Sequence, residues 1–443
     1  MKKYLLFIIL CSAIVSGCTK SDDAVVGLVA TVTTTAANLV TGNKIGTGGN
    51  ISNDGGSSIT ARGVCWSTAA NPVISGTHTS DGTGTGTFQS VITGLLPTTT
   101  YYVRAYATNG AGTAYGDEIV VTTTIQTDVY VGGYEFSPTM NQNIPKVWKN
   151  GVATALNTGA VSGYVRGVFV SGNDVYVTGY ELDMATSQYR AVIWKNGTPS
   201  YLTNGVEDAS AESVFVVGND VYVAGYENIN TIAVAKLWKN GVGTNLTDGT
   251  RLALGESVFV DGIDVYVSGY EVGVNGTHVK VWKNGAPTIL NPVGELASTG
   301  SGVFVSGTDV YVANGVQVGA AVSVAKLWKN GVETVLTDGS HEAICKTVFV
   351  NGADVYVGGS ERSAPGPYIA RTWKNGIPSY LNSNTNSDAY VESVYFFGST
   401  LYAAGYENDG TTTYTAKLWE NGIATALTNG ANSSFASCVF VKQ

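Results

Sequence analysis

A unit of about 45 residues recurs seven times between residue 128 and the C-terminus, and this repeat constrains the fold more than any other feature of the sequence. A tyrosine in a segment similar to Asp-Val-Tyr-Val marks each copy, at intervals of 44 to 46 residues. These tyrosines are Tyr130, Tyr176, Tyr222, Tyr266, Tyr311, Tyr356 and Tyr402. A tryptophan recurs in step, at Trp148, Trp194, Trp238, Trp282, Trp328, Trp373 and Trp419. Such a period predicts an array of similar units that bury their apolar faces against their neighbours.

Each unit contains four short segments with the alternation of β-strands. The dipeptide Asn-Gly follows the tryptophan and a charged residue, as in Asn240-Gly241, and favours a two-residue hairpin between the third and fourth strands. Strands rich in β-branched residues exclude the helix pairs of other repeats of this length. Seven four-stranded sheets describe a β-propeller, and the segment Gly218–Tyr226 resembles repeats of bacterial propellers. We therefore predict an all-β protein with a seven-bladed propeller over residues 128–443.

The two ends of the array complement each other. The first copy begins at its second strand with Asp128, whereas the chain finishes on a first-strand motif, Cys438–Val441. The C-terminal strand should therefore pair with the strand that begins at Asp128. This pairing would close the ring and remove both free sheet edges.

Residues 27–124 show a second, non-repeating pattern of alternating strands and glycine-rich turns, typical of a small antiparallel β-sandwich. The segment Leu95–Ala105 resembles the fibronectin type III signature. The resemblance implies that Tyr101 forms the tyrosine corner of such a domain. Trp66 is predicted to lie in the core. The short connection to the repeats predicts a fairly rigid linker.

The N-terminus has the pattern of an exported lipoprotein. Lys2 and Lys3 precede a short apolar run that ends at Cys18, so residues 1–17 read as a signal peptide. The match resembles bacterial lipoproteins, which implies a lipid such as palmitate on Cys18 and a tether over residues 18–26. The acidic segment after Cys18 is similar to an export tag of outer-membrane lipoproteins. These resemblances imply a partner membrane and a cell-surface location on the outer membrane; a soluble secreted protein is the alternative.

Charge and cysteine content exclude several classes of function. Without residues 1–17 the chain carries 22 basic and 33 acidic residues, a net charge of −11 that argues against nucleic acid as a partner. The odd number of cysteines beyond Cys18, at Cys65, Cys345 and Cys438, predicts no disulfide framework. The histidines His78, His278 and His341 fall in different domains or copies, so we predict no metal and no cofactor.

The variable loops are the candidate binding surface. In a propeller, the turns before strands two and four lie on one face, and they are short and nearly constant here, whereas the loops of the other face differ in every copy. Candidate ligand-binding residues in these variable loops are Tyr164, Arg166, Tyr189, Arg251, His341, Tyr368, Tyr390 and Phe435. Tyrosine, arginine and histidine in such loops suit recognition of a glycan or a protein.

Two regular rows of residues invite functional interpretations with simpler alternatives. Six glutamates end the second strands and could bind cations, but basic residues two positions before the tryptophans should pair with them. The tryptophans could stack on sugars, but their position in mid-sheet favours packing between blades.

The sequence indicates three functions. The first is a non-catalytic surface module that binds a glycan or a protein; no catalytic residue is assigned, because no nucleophile elbow or Ser, His and Asp set is recognisable. The second is a glycan-degrading enzyme that uses carboxylates from different blades. The third is a structural scaffold lipoprotein of an outer-membrane complex.

Overall fold

The computed structural model describes residues 27–125, 127–157, 161–274, 276–291, 295–297, 301–318, 322–363, 366–381, 387–408 and 410–442. Within these ranges the regular structure is β-strand throughout, with no helix, so the predicted all-β class is confirmed. It follows that none of these residues belongs to a helix that could span a membrane. The predicted signal peptide, the tether and Cys18 lie outside the described residues.

Contacts divide the chain into two compact units. The first comprises the described residues up to Ala36, Thr47–Ser90 and Tyr101–Val120. The second comprises Ala37–Gly46, Val91–Thr100 and the described residues from Val121 onward. The boundaries at residues 124 and 128 stay a prediction.

Eight strands precede the repeats. They are β1 (Thr31–Val40), β2 (Lys44–Asn53), β3 (Ala61–Ser67), β4 (Thr77–His78), β5 (Gly86–Thr93), β6 (Thr100–Asn109), β7 (Gly112–Tyr115) and β8 (Ile119–Thr122). Strands β1, β2 and β5 form one sheet, and the others form a second sheet. Val64 and Ala105 are opposite each other on β3 and β6 and are fully buried. Trp66, which the sequence assigns to the core, is only half-buried, because it lies near the end of β3 beside an open pocket.

The repeats form seven sheets in the described part of the chain, which we call repeat sheets 1 to 7 in the order of their tryptophans. Sheets 1 and 2 contain β9 (Asp128–Ser137), β10 (Gln142–Lys149), β11 (Val152–Ala155), then β12 (Gly163–Ser171), β13 (Asp174–Leu182), β14 (Tyr189–Lys195) and β15 (Thr198–Tyr201). Sheets 3 and 4 contain β16 (Ala209–Val217), β17 (Asp220–Ile229), β18 (Ile232–Lys239), β19 (Val242–Asn245), then β20 (Ala253–Asp261), β21 (Asp264–Gly273), β22 (Gly276–Lys283) and β23 (Ala286–Ile289).

The remaining strands follow the same plan. Sheet 5 contains β24 (Leu296–Ala297), β25 (Gly302–Ser306), β26 (Asp309–Val318), β27 (Val322–Lys329) and β28 (Val332–Val335). Sheets 6 and 7 contain β29 (Ala343–Asn351), β30 (Asp354–Arg362), β31 (Tyr368–Lys374), β32 (Ile377–Tyr380), then β33 (Ala389–Phe397), β34 (Thr400–Asn408), β35 (Tyr414–Glu420) and β36 (Ile423–Ala426). The last strand is β37 (Ser434–Lys442). Repeated antiparallel sheets of this kind make the fold propeller-like.

The last strand belongs to the first repeat sheet. In sheet 1 the order is β11-β10-β9-β37, and Val439 lies opposite Val131. The predicted pairing of the C-terminal strand with the strand at Asp128 is therefore confirmed. The pairing removes the free edge that β9 would otherwise expose.

The Asn-Gly turns set the register of the outer strands. Asn240 and Gly241 both have positive φ, 52° and 81°, which a type I′ turn requires. Asn240 Oδ1 accepts a hydrogen bond from the Val221 N–H at 2.8 Å, and Asn240 Nδ2 donates one to Asp220 Oδ1 at 2.8 Å. Each such asparagine thus ties the hairpin to the preceding strand.

Apolar clusters lie between consecutive repeat sheets. Tyr176 and Ala191 of sheet 2, for example, pack with Val214, Val223 and Trp238 of sheet 3. All seven repeat tryptophans are at most 2% exposed, which agrees with packing rather than sugar stacking. Another cluster joins Trp148 of sheet 1 to residues of sheet 7.

Aromatic rings of the first strands contact one another in a closed cycle. The cycle runs through Phe169, Phe215, Phe259, Phe304, Phe349, Tyr395 and Phe440 and returns to Phe169. Adjacent ring centroids are 4.7–5.0 Å apart. We call these seven residues the aromatic collar.

Candidate binding site

A β-bulge interrupts the first strand in six repeat sheets of the described chain. Between Ala211 and Ser213, for example, the register with β17 skips Glu212. The residues skipped in this way are Arg166, Glu212, Glu256, Lys346, Glu392 and Ser437. Bulges bend a strand and redirect a side chain, and they are frequent next to binding sites.

The strand opposite the bulge carries glycine because the chains approach closely there. A Cβ atom on Gly225 would lie 2.0 Å from the carbonyl oxygen of Ser210. Gly179 and Gly405 face the equivalent carbonyl oxygens at 1.8 and 1.9 Å. The glycine of the Gly-Tyr-Glu motif in the second strand is therefore required by the close approach of the neighbouring strand.

The bulged residues line one cavity of about 470 Å³. Ser301 of sheet 5 also lines it. Two ion pairs lie in its wall, with Arg166 Nε 3.5 Å from Glu212 Oε2 and Lys346 Nζ 2.7 Å from Glu392 Oε1. With Glu256 the wall holds three acidic and two basic groups from five sheets. The cavity is therefore polar and carries charges of both signs.

A continuous chain of half-buried aromatic rings runs through sheets 6, 7, 1 and 2. It contains Tyr368, Tyr390, Tyr406, Tyr414, Phe435, Tyr134, Tyr164, Tyr180 and Tyr189. Ring centroids along the chain are 4.7–5.5 Å apart. We call these residues the aromatic arc.

The aromatic arc adjoins the cavity. Arg166, in the cavity wall, donates a hydrogen bond to the Tyr180 hydroxyl at 3.3 Å. A second pocket of about 510 Å³ is lined by Tyr164, Tyr180 and Tyr189 and shares Tyr226 and Leu254 with the cavity. Arc, pocket and cavity thus form one connected surface.

The phenol groups beside the cavity stay protonated at neutral pH. Burial raises the pKa of Tyr134 to about 12. Burial and the carboxylate of Glu212 raise the pKa of Tyr226 to about 12, and burial and Glu392 raise the pKa of Tyr406. These side chains therefore present neutral hydroxyl groups that can both donate and accept hydrogen bonds.

Aromatic side chains surround only part of the cavity rim. Tyr226 on the second strand of sheet 3 lies opposite an alanine of the third strand, and the residues at the equivalent position are Gly315 in sheet 5 and Ser360 in sheet 6. The rim is therefore aromatic on one side and built from small residues on the other. This asymmetry arises from the sequence, because the strands themselves repeat.

The candidates predicted from the variable loops fall into two groups. Tyr164, Tyr189, Tyr368, Tyr390 and Phe435 all belong to the aromatic arc, and Arg166 lines the cavity. The sequence assigns all six to loops, but they lie in β12, β14, β31, β33 and β37, because these strands extend further toward the cavity than their repeated motifs indicate. Only Arg251 and His341 of the eight candidates lie in loops: Arg251 acts electrostatically on Asp248, and His341 Nδ1 lies 2.8 Å from Ser340 Oγ.

The predicted pairing of the regular acidic row is present. Five of its glutamates form cross-strand ion pairs, namely Glu135–Lys146, Glu227–Lys236, Glu271–Lys280, Glu361–Arg371 and Glu407–Lys417. The sixth, Glu181, accepts hydrogen bonds from Asn157 and Tyr201. These contacts satisfy at least one carboxylate oxygen of each glutamate in the row.

Sequence reasoning missed the bulged acids and the tyrosines of the Gly-Tyr-Glu motif. Glu212, Glu256 and Glu392 precede the constant Ser-Val segment, at a position that is Arg166 or Lys346 in other copies. The signal in the sequence was that this one position differs between copies although the residues after it are nearly constant. Tyr180 and Tyr406 could not be recognised as site residues from the sequence, because they belong to the repeated Gly-Tyr-Glu motif and therefore look structural.

Comparisons with known protein families and with curated proteins find no match. Among solved structures, a puromycin-hydrolyzing peptidase of Mycobacterium tuberculosis is similar at 11% identity and a TM-score of 0.47, over 68% of this chain and 51% of that one. A DUF4784 family protein from Bacteroides caccae aligns over 94% of this chain and 100% of its own, at 9% identity and a TM-score of 0.29. A Pyrococcus horikoshii acylaminoacyl peptidase aligns over 60% and 53%, at 12% identity and a TM-score of 0.30. The chain thus spans about half the length of each peptidase.

Proposed function

We propose that the repeat sheets are the blades of a seven-bladed β-propeller closed by β37. The pairing of β37 with β9 and the closed cycle of the aromatic collar support this architecture. Adjacent collar rings are inclined by 49–53°. A rotation of one seventh of a full turn is about 51°, the inclination expected for seven equivalent blades around one axis.

The N-terminal part completes the proposed architecture. The signature at Leu95–Ala105 supports a fibronectin type III-like domain over residues 27–124, and Tyr101 is buried as such a domain requires. The motif before Cys18 supports a lipid anchor that places the protein on the outer-membrane surface. In this arrangement the first domain is a spacer between the anchor and the propeller in the chain.

The proposed function is non-catalytic binding of a glycan at the aromatic arc and the adjoining cavity. One observation carries this proposal: the nine aromatic rings of the arc adjoin a cavity whose wall contains ion pairs and phenol groups. Aromatic faces contact the apolar C–H faces of sugar rings, whereas paired charges and hydroxyl groups bond to sugar hydroxyls.

The shape of the site favours a small ligand over a protein. A volume of about 470 Å³ is within the range of about 300–1,000 Å³ found for small-molecule sites. Stable protein interfaces instead bury about 800 Å² on each partner. The end of an oligosaccharide matches the concave polar site better.

Binding of a labelled full-length protein to a glycan array tests this function. We expect retention on a subset of glycans, and we expect Tyr164→Ala or Tyr390→Ala to weaken that retention about fivefold, since each removes a ring contact worth about 1 kcal/mol. Tyr201→Ala is the matched control, because Tyr201 is 43% exposed on β15, outside the arc.

Two results would contradict this function. One is the absence of any retained glycan, and the other is equal loss of binding in the Tyr201 control. Release of new reducing ends from a bound glycan would instead favour the glycan-degrading enzyme. That alternative draws support from Glu212, Glu256 and Glu392, three carboxyl groups of different sheets that line one cavity.

A further inference from the structure

Three side chains outside the cavity bring together donor atoms that could hold a metal ion. Asp338 and His341 lie in the loop between β28 and β29, and Glu361 is near the end of β30. One ligand atom from each lies within 4.8 Å of the others. Ligands bound at about 2.1 Å from one ion can be at most about 4.2 Å apart, so no pair of these atoms would have to approach by more than about 0.6 Å to share an ion.

Hydrogen bonds of Ser340 orient the histidine for metal binding. The Ser340 hydroxyl donates to Asp338 Oδ1 at 2.5 Å and lies 2.8 Å from His341 Nδ1. A hydroxyl group has one hydrogen, so Ser340 must accept the hydrogen bond from Nδ1–H. In neutral imidazole this arrangement leaves the lone pair on Nε2. A second hydrogen bond that fixes the tautomer is typical of metal-binding histidines.

The two carboxylates each keep an oxygen atom for a cation. Asp338 Oδ1 accepts both the N–H and the hydroxyl of Ser340, so Oδ2 is the second acceptor. Glu361 is 9% exposed, and its Oε2 accepts from Arg371, so Oε1 is available on the same group. One nitrogen and two oxygen ligands form a set that Zn²⁺ accepts.

The repeat supplies an internal comparison for this loop. The loop before β20 has the same Leu-Thr-Asp-Gly sequence, and Thr250 donates to Asp248 as Ser340 does to Asp338. Arg251 stands there in the position of His341. One loop therefore carries a guanidinium group beside its aspartate, whereas the other carries an imidazole, which is a common metal ligand.

We propose that Asp338, His341 and Glu361 bind one divalent transition-metal ion of the zinc class. The ion joins the loop before β29 to strand β30. This proposal departs from the sequence-based expectation of no metal. That expectation rested on the separation of the histidines, but a site with one histidine and two carboxylates does not need them to be close.

Calorimetric titration of the tag-free, full-length protein with Zn²⁺ tests the proposal. We expect one equivalent to bind, and we expect His341→Ala and Asp338→Asn each to weaken it at least tenfold. Asp248→Asn, in the related loop, is the matched control and should leave the titration unchanged. Arg251→His should create a second, weaker equivalent, because it introduces the missing nitrogen ligand.

Each contrary result overturns the proposal. If no Zn²⁺ binds, His341 is a hydrogen-bonded loop residue and not a metal ligand. If Zn²⁺ binds equally well to His341→Ala, the ion lies elsewhere on the chain. A thermal-unfolding scan of every variant without added metal shows whether a change in binding reflects a loss of folding instead.

Discussion

The two ends of each repeat sheet differ in how faithfully they repeat. At the turn end, which carries the Asn-Gly turns, six sheets have the same aspartate–lysine pair with N–O distances of 2.6–2.8 Å. At the cavity end, the bulged residue is arginine, lysine, glutamate or serine, depending on the sheet. The turn end is therefore nearly constant from sheet to sheet, whereas the cavity end differs between sheets.

The seventh sheet refines this comparison. Thr400 and Glu420 stand where the other sheets have the aspartate and the lysine. The Asn-Gly turn persists there, and Asn421 still accepts the N–H of Leu401 at 2.8 Å. The hydrogen bond that the asparagine accepts is therefore the constant element of the turn end, whereas the aspartate–lysine pair is missing from the seventh sheet.

The largest effect is expected from removing the last strand, which serves both ends of sheet 1. Deletion of residues 437–443 exposes the edge of β9 and removes Phe440 from the aromatic collar. We expect aggregation or loss of cooperative unfolding, measured by size-exclusion chromatography and calorimetry. Deletion of Gln443 alone is the control. A 437–443 deletion that melts like the full-length protein would refute closure of the ring.

A smaller effect is expected at the cavity end from Gly225→Ala. The new methyl group would lie 2.0 Å from the Ser210 carbonyl oxygen, so the bulge must shift. Overpacking of this kind costs about 1–3 kcal/mol of the free energy of unfolding. Gly76→Ala is the control, since its nearest atom would be 3.4 Å away. Equal denaturation midpoints for the two variants would show that the bulge yields freely.

The sequence predicts strand order and hairpins well because these depend on local chemistry. The Asn-Gly turns fix the pairing of Lys239 with Val242, and the tryptophans are buried as predicted. The motif at Cys438–Val441 was enough to predict the pairing of β37 with β9, since the first copy lacked that strand.

The cavity could not be predicted because bulges break the two-residue period. In the sequence, Glu212 and Ser213 continue the alternation of inward and outward residues along β16. In the structure, the pairing of β16 with β17 skips Glu212, so the residues on either side of it face opposite ways, contrary to the expected pattern. The proposed metal ligands could not be predicted from the sequence for a different reason. Asp338 and Glu361 are 23 positions apart in sequence and meet only through the pairing of β29 with β30.

The smallest effect is expected at the turn end, from Asp220→Asn. Hydrogen bonds from Lys239 and Asn240 lower the pKa of Asp220 in the folded protein. The pair therefore contributes stability above the ordinary aspartate pKa of about 3.9 and loses it as the pH falls through the lower, folded value. The pair is exposed to solvent, so Asp220→Asn should lower Tm by no more than about 2 °C at pH 7.

The pH dependence of the change in Tm distinguishes the contribution of the Asp220–Lys239 ion pair from that of the hydrogen bond that Asn240 accepts from Val221. The Tm difference between Asp220→Asn and the unmodified protein should shrink below about pH 4, since protonation removes the same charge. Asn240→Ala should cost more than Asp220→Asn and should keep part of its effect at low pH, because it also removes the bond to the Val221 N–H. If Asp220→Asn costs as much as Asn240→Ala at pH 7, the ion pair is essential to the turn end, and Thr400 and Glu420 in the seventh sheet need another explanation.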